Sequence, residues 1–106
     1  MNNEKVISEI QKYQRFLQQI KLQKQNLSIK KDESSNAIDE LDKTNKSYKL
    51  IGDVLIEKDS QSLKKEISSR IDNINEQLES LNRNEEKIQN KLSKLQKDLR
   101  NVDDNN

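Results

Sequence analysis

The sequence predicts a mainly α-helical protein: a long antiparallel two-helix coiled coil joined by a central β-hairpin. Three observations carry that expectation. Apolar residues recur on an alternating four-three spacing through both halves of the chain. The midpoint, "SYKLIGDVLIEKD" from Ser47 to Asp59, breaks this period and is rich in strand-forming residues around the single glycine, Gly52. Proline is absent, so nothing interrupts a long helix from within.

In the first half, Ile10, Leu17, Lys24, Lys31 and Ile38 occupy heptad position a. Val6, Tyr13, Ile20, Leu27, Ser34 and Leu41 occupy d. The seam persists for about five heptads, which defines a coiled-coil helix over about 4–45. In the second half Ile71, Leu78, Glu85, Leu92 and Leu99 lie at a, and Ile67, Ile74, Leu81, Ile88, Leu95 and Val102 at d. Leu63 is one residue out of phase, so this seam is expected to begin at Ile67, within a helix over about 60–102. Asp59 or Ser60 serves as its N-cap, and no Glu or Gln follows to complete a capping box.

Between them, Tyr48, Leu50, Val54 and Ile56 are of strand-forming type. Gly52-Asp53 suits the two-residue turn of a type II′ or I′ hairpin spanning about 47–58. With the pivot between Gly52 and Asp53, opposed residues have numbers summing to 105. Carried into the helices, this sum pairs Val6 with Leu99, Ile10 with Leu95, Tyr13 with Leu92 and Ile38 with Ile67, always an a with a d. Hairpin and heptads thus agree on an intramolecular antiparallel pair, with arms of roughly 60 Å for about 40 residues each. Lys24 and Glu85 fall in adjacent layers with opposite sign. They either meet across the seam and help set register or extend separately to water.

Composition narrows the chemistry. Of 106 residues, 29% are hydrophobic and 37% charged, with a net charge of +1. The apolar share is far below the roughly 45–50% of ordinary globular domains, so only narrow stripes can be buried. There is no cysteine and no histidine, which removes thiolate chemistry, the cheapest general base and the commonest metal ligand. The acidic pairs Asp32-Glu33, Glu85-Glu86 and Asp103-Asp104 read as solvated faces or tail, so no enzyme activity, metal or cofactor is expected. Lys30-Lys31 and Lys64-Lys65 are offset by equally abundant acids, and three aromatics serve base stacking poorly, which argues against nucleic acid. No apolar run approaches the ~20 residues that cross a bilayer. "MNNEKVISEI" has no apolar core of signal-peptide length, so neither membrane association nor export is expected and the cytoplasm is the expected location.

A lone hairpin is marginal in water, and its edges invite pairing with other chains. Leu50, Ile51, Val54, Leu55 and Ile56 are too apolar, and on both faces, for two helices to cover. Tyr48, Leu50, Gly52, Val54, Leu55 and Ile56 are therefore expected to drive oligomerisation. A structural coiled-coil scaffold or tether is the alternative; it accounts for the heptads but not for the strand-rich pivot.

Helix, hairpin and helix with "YKLIGDVLIEK" at the pivot resembles the beta-class subunit of prefoldin, nearer the archaeal type. "YQRFLQQIKLQKQNL" in the first helix and "SLNRNEEKIQNKLSKLQKDL" in the second add to the likeness, which covers essentially the whole chain. Beta-class subunits have one hairpin here, alpha-class subunits two. The resemblance implies a hexamer of two alpha-class and four beta subunits, built on a β-barrel of hairpins. It also implies an ATP-independent holdase that captures unfolded client proteins at coiled-coil tips and delivers them to a group II chaperonin. Antiparallel helices bring both termini to one free end, where Val6, Ile7, Ile10, Leu95, Leu99 and Val102 are expected to form the client-binding tip. Ile10 and Leu95 largely close the coil there, and Asp103 and Asp104 form a solubilising tail.

Overall fold

The structure, a computed structural model, describes residues 3–104, with side chains as far as Asn101. Four elements follow in order: α1 (Asn3–Leu41), β1 (Lys46–Ile51), β2 (Val54–Asp59) and α2 (Ser60–Asp104). They build the long antiparallel two-helix coiled coil with a central two-stranded hairpin.

The strands pair antiparallel from Lys46 with Asp59 to Ile51 with Val54, and every pair sums to 105. Gly52 opens the turn with φ of 58°, and no non-glycine among the described residues has positive φ. A positive first and negative second position is the sign pattern of type II′, which settles the choice between the two turns. Glycine adopts this backbone without the Cβ clash that penalises other residues.

α1 stops four residues short of the expected boundary. Asp42 N–H still donates to the Ile38 carbonyl at 3.0 Å, but Lys43 and Thr44 turn to Glu40 and Leu41 at 3.1 and 3.4 Å. The last turn thus tightens from i−4 to i−3 bonding. The Thr44 hydroxyl then donates to the Lys46 carbonyl at 3.0 Å and accepts from the Lys46 N–H at 3.2 Å. That local bonding competes with helix continuation. α2 follows β2 without a connecting residue. Asp59 is its N-cap: Oδ2 accepts from the Ser62 N–H at 3.3 Å, relieving one of the orphan donors of the first turn.

The chain divides into two compact units. The first comprises α1 through Gln25 and α2 from Leu78 onward. Its core is the seam of Val6, Ile10 and Ile20, all buried, with half-buried Leu17, Leu81, Ile88, Leu92, Leu95 and Leu99. The second comprises Asn26–Gln77 and contains the hairpin. Ser34, Leu63 and Ile74 are its buried seam residues, and an ion pair joins Asp42 to Lys64 across it.

Leu63 corrects the expected start of the second seam. It is 7% exposed, so burial on α2 begins before Ile67. Leu63, Ile67 and Ile71 are spaced by four and four. This is a stutter, which unwinds a coiled coil locally and lets an out-of-phase residue keep facing its partner.

Candidate functional site

Hairpin pairing sorts its side chains into two faces, because cross-strand partners project to the same side. Ser47, Lys49, Ile51, Val54, Ile56 and Lys58 share one face; Tyr48, Leu50, Leu55 and Glu57 share the other. The first face is anchored at its base. Ser47 Oγ donates to the Lys58 carbonyl at 2.8 Å, and Ser60 Oγ of α2 donates to Ser47 Oγ at 3.4 Å, both serines being buried.

Nearly two turns further along α2, Glu66 receives two ammonium groups from that face. Lys58 Nζ lies 2.6 Å from Oε1 and Lys49 Nζ 2.9 Å from Oε2. Each carboxylate oxygen therefore has its own charged donor. The hydrogen bond from Lys58, then that from Lys49, pulls the Glu66 carboxyl down to about 2. Sequence reading missed this clamp. Its only signal was the parity of Lys49 and Lys58, which becomes legible once the hairpin register is fixed.

Beyond the clamp nothing among the described residues covers the apolar side chains of the hairpin. Tyr48, Leu50, Ile51, Val54, Leu55 and Ile56 are between 42% and 66% exposed, on both faces. Monomeric proteins rarely leave so many neighbouring apolar side chains open to water.

The first unit holds the residues expected at the tip. Val6 is 2% exposed and fills the seam, whereas Ile7 beside it is 43% exposed. Ile10 is buried; Leu95 and Leu99 are half-buried. Val102 lies in the last turn of α2, and its side chain, like those of Asp103 and Asp104, is outside the described residues. Of the tip residues with described side chains, Ile7 alone is exposed.

Further along the same unit is a cluster that the heptads did not reveal. Tyr13 and Phe16 meet edge to face, with centroids 6.0 Å apart and planes at 75°. Lys12 Nζ stands 5.7 Å from both ring centroids, and Lys91 Nζ 5.7 Å from that of Tyr13. Lys24 and Glu85 meet in this unit at 3.3 Å, both partly buried.

A single hairpin between the two helices of an antiparallel coiled coil defines the beta-class prefoldin fold. The crystal structure of the prefoldin beta subunit from Thermococcus strain KS-1 matches with a TM-score of 0.88 and 23% identity, covering 94% of this chain and 90% of that one. The sequence itself matches the prefoldin subunit family over residues 4–104. A comparison with curated proteins gave no sequence match. The chain belongs to the prefoldin subunit family. Membership implies hetero-oligomeric assembly with other prefoldin subunits, in a family of chaperones rather than enzymes. Among the described residues no helix is long and apolar enough to cross a membrane.

Proposed function

We propose that this chain is the beta subunit of an ATP-independent holdase, a hexamer of two alpha-class and four beta subunits. Its hairpin pairs with those of neighbouring subunits. The coiled-coil end near Ile7 and Leu99 holds unfolded clients and passes them to a group II chaperonin in the cytoplasm. The observation that carries this reading is the hairpin, which leaves six large apolar side chains open on a chain of the prefoldin family. Burial against other hairpins removes roughly 25 cal/mol of unfavourable hydration per Å² covered and pairs the open strand edges.

At the client end the reading rests on Ile7, with Val6, Leu99 and Val102 becoming available as terminal turns open locally. Contacts of this kind are individually weak. Several subunits around one client add avidity through effective concentration, which suits a protein that must hold many sequences and release them.

The test is co-expression with an alpha-class prefoldin subunit, native mass measurement, and an aggregation assay with a denatured client. The expected result is a hexamer that suppresses aggregation without nucleotide. Self-association of this chain through its helices, with no alpha partner taken up, would refute the reading.

A further inference from the structure

In the first unit, a hollow of about 530 Å³ opens along one flank of the seam, lined among others by Tyr13, Phe16, Ile20, Lys87, Ile88 and Lys91. The flank is the one bounded by the g positions of both helices, where Phe16 and Lys91 lie. The remaining lining residues are Gln19, Gln23, Asn84 and Asn90, so no carboxylate borders the hollow. Lys12 adds a third ammonium beside its aromatic wall. Among the described residues none of Lys12, Lys87 and Lys91 has a carboxylate partner. This departs from the chain as a whole, where acids and bases nearly balance. Acidic groups border a neighbouring hollow of about 250 Å³, where Glu9 and Asp98 join Tyr13, Lys91, Lys94 and Leu95.

We infer that this groove selects client segments in which a large apolar side chain is flanked by Asp or Glu. The inference rests on the holdase reading and names the sequence class the holdase prefers. Tyr13, Phe16, Ile20 and Ile88 provide an apolar floor that is open rather than enclosed, which fits an extended chain laid along it. Lys12 and Lys91 are held close to the rings by cation–π attraction. Their ammonium groups therefore stand at the rim before a ligand arrives, where flanking carboxylates of the client would reach them. Charge complementarity of this kind governs specificity and encounter rate more than raw affinity, and salt screens it. A preference without tight binding is what a transient holder needs.

The test uses the full chain and three labelled short peptides that share one Leu-Phe-Leu core, flanked by Asp and Glu, by Ser, or by Lys. Fluorescence anisotropy at low salt should rank them acidic, neutral, basic, with about a tenfold span between the extremes that shrinks as salt is added. Lys12→Glu, Lys87→Glu and Lys91→Glu together should reverse the order. Lys12→Gln, Lys87→Gln and Lys91→Gln together, which only remove charge, should abolish it, with helicity by circular dichroism unchanged in both. Equal binding of the acidic and basic peptides, or a preference that survives both triple variants, overturns the inference. So does a single-stranded oligothymidylate that binds more tightly than the acidic peptide, since the groove would then serve phosphate. Suppression of client aggregation by the wild-type hexamer is measured alongside. If it persists without peptide preference, the groove inference falls alone; if it is absent, the holdase reading falls and takes the inference with it.

Discussion

Lys24 Nζ lies 3.3 Å from Glu85 Oε1, so these two polar a residues of the seam are bound to each other across the coiled coil rather than extended separately to water. Their numbers sum to 109, one layer away from the 105 of the hairpin, and the lysine spans the offset. The two side chains are 30% and 24% exposed, so the pair is neither dry nor fully solvated.

A double-mutant cycle with Lys24→Ala and Glu85→Ala should therefore give a favourable coupling of at most about 1 kcal/mol, shrinking with salt. Zero coupling by denaturant unfolding at low salt would mean that the contact adds nothing to register.

Glu66 fixes a pH dependence. Its carboxyl titrates near 2 when folded instead of at the ordinary 4.5. A depressed carboxylate stabilises the fold fully above the unfolded value and loses that contribution as pH falls through the folded one. Wild type should be more stable than Glu66→Gln at neutral pH, and the gap should close between about pH 4.5 and pH 2. Thermal unfolding of both proteins across that range measures it; a gap constant down to pH 2 would contradict the clamp.

Gly52 should resist substitution for backbone reasons alone. A Cβ placed there meets nothing within 4 Å, so Gly52→Ala suffers no collision, only the positive φ. The expected loss is about 1–2 kcal/mol. A D-alanine introduced by chemical synthesis, for which this φ is favourable, should restore or exceed wild-type stability. Equal melting temperatures for the L and D forms would show that the turn has another geometry.

Leu63→Ala should cost about 2–3 kcal/mol, near the lower end for buried leucines because a two-helix seam encloses a side chain incompletely. A loss below about 0.5 kcal/mol, the level of an ordinary surface substitution, would return the start of the seam to Ile67.

Val54→Asp and Leu55→Asp probe the two faces of the hairpin separately, since Val54 and Leu55 point to opposite sides. Both side chains are exposed in the single chain, so helicity and monomer folding should hold. Covering an unpaired carboxylate at a subunit contact is strongly unfavourable, and sedimentation should show both variants failing to enter the hexamer. Entry by one of them would identify a face that stays open to solvent.

Much of this architecture was legible from the sequence, for identifiable reasons. The turn at Gly52-Asp53 pins the strand register because the only residue free to adopt positive φ sits at its first position. The heptads located the seam because each a and d residue contributes to one continuous stripe, and even polar Lys24 and Glu85 kept the phase. The misses came from interactions outside those periods. Thr44 ends α1 through side-chain bonding that competes with helix only over a few residues. Leu63 looked out of phase because a strict seven-residue repeat ignores stutters. The Glu66 clamp and the lysine–aromatic cluster join groups through positions that no single helical or strand period connects.

The two ends of the hairpin are attached differently, and this gives the second unit a direction. β2 runs straight into α2, with Asp59 capping the helix, Ser47 meeting Ser60, and Lys49 and Lys58 gripping Glu66. β1 joins α1 through the four residues 42–45, tied by Thr44 to its own strand. Mechanically, α2 is the shaft to which the hairpin is keyed, whereas α1 reaches it through a connector bonded to itself, to β1 and, by Asp42, to Lys64 of α2. A pull or twist on the hairpin therefore enters α2 directly and reaches α1 by way of that connector.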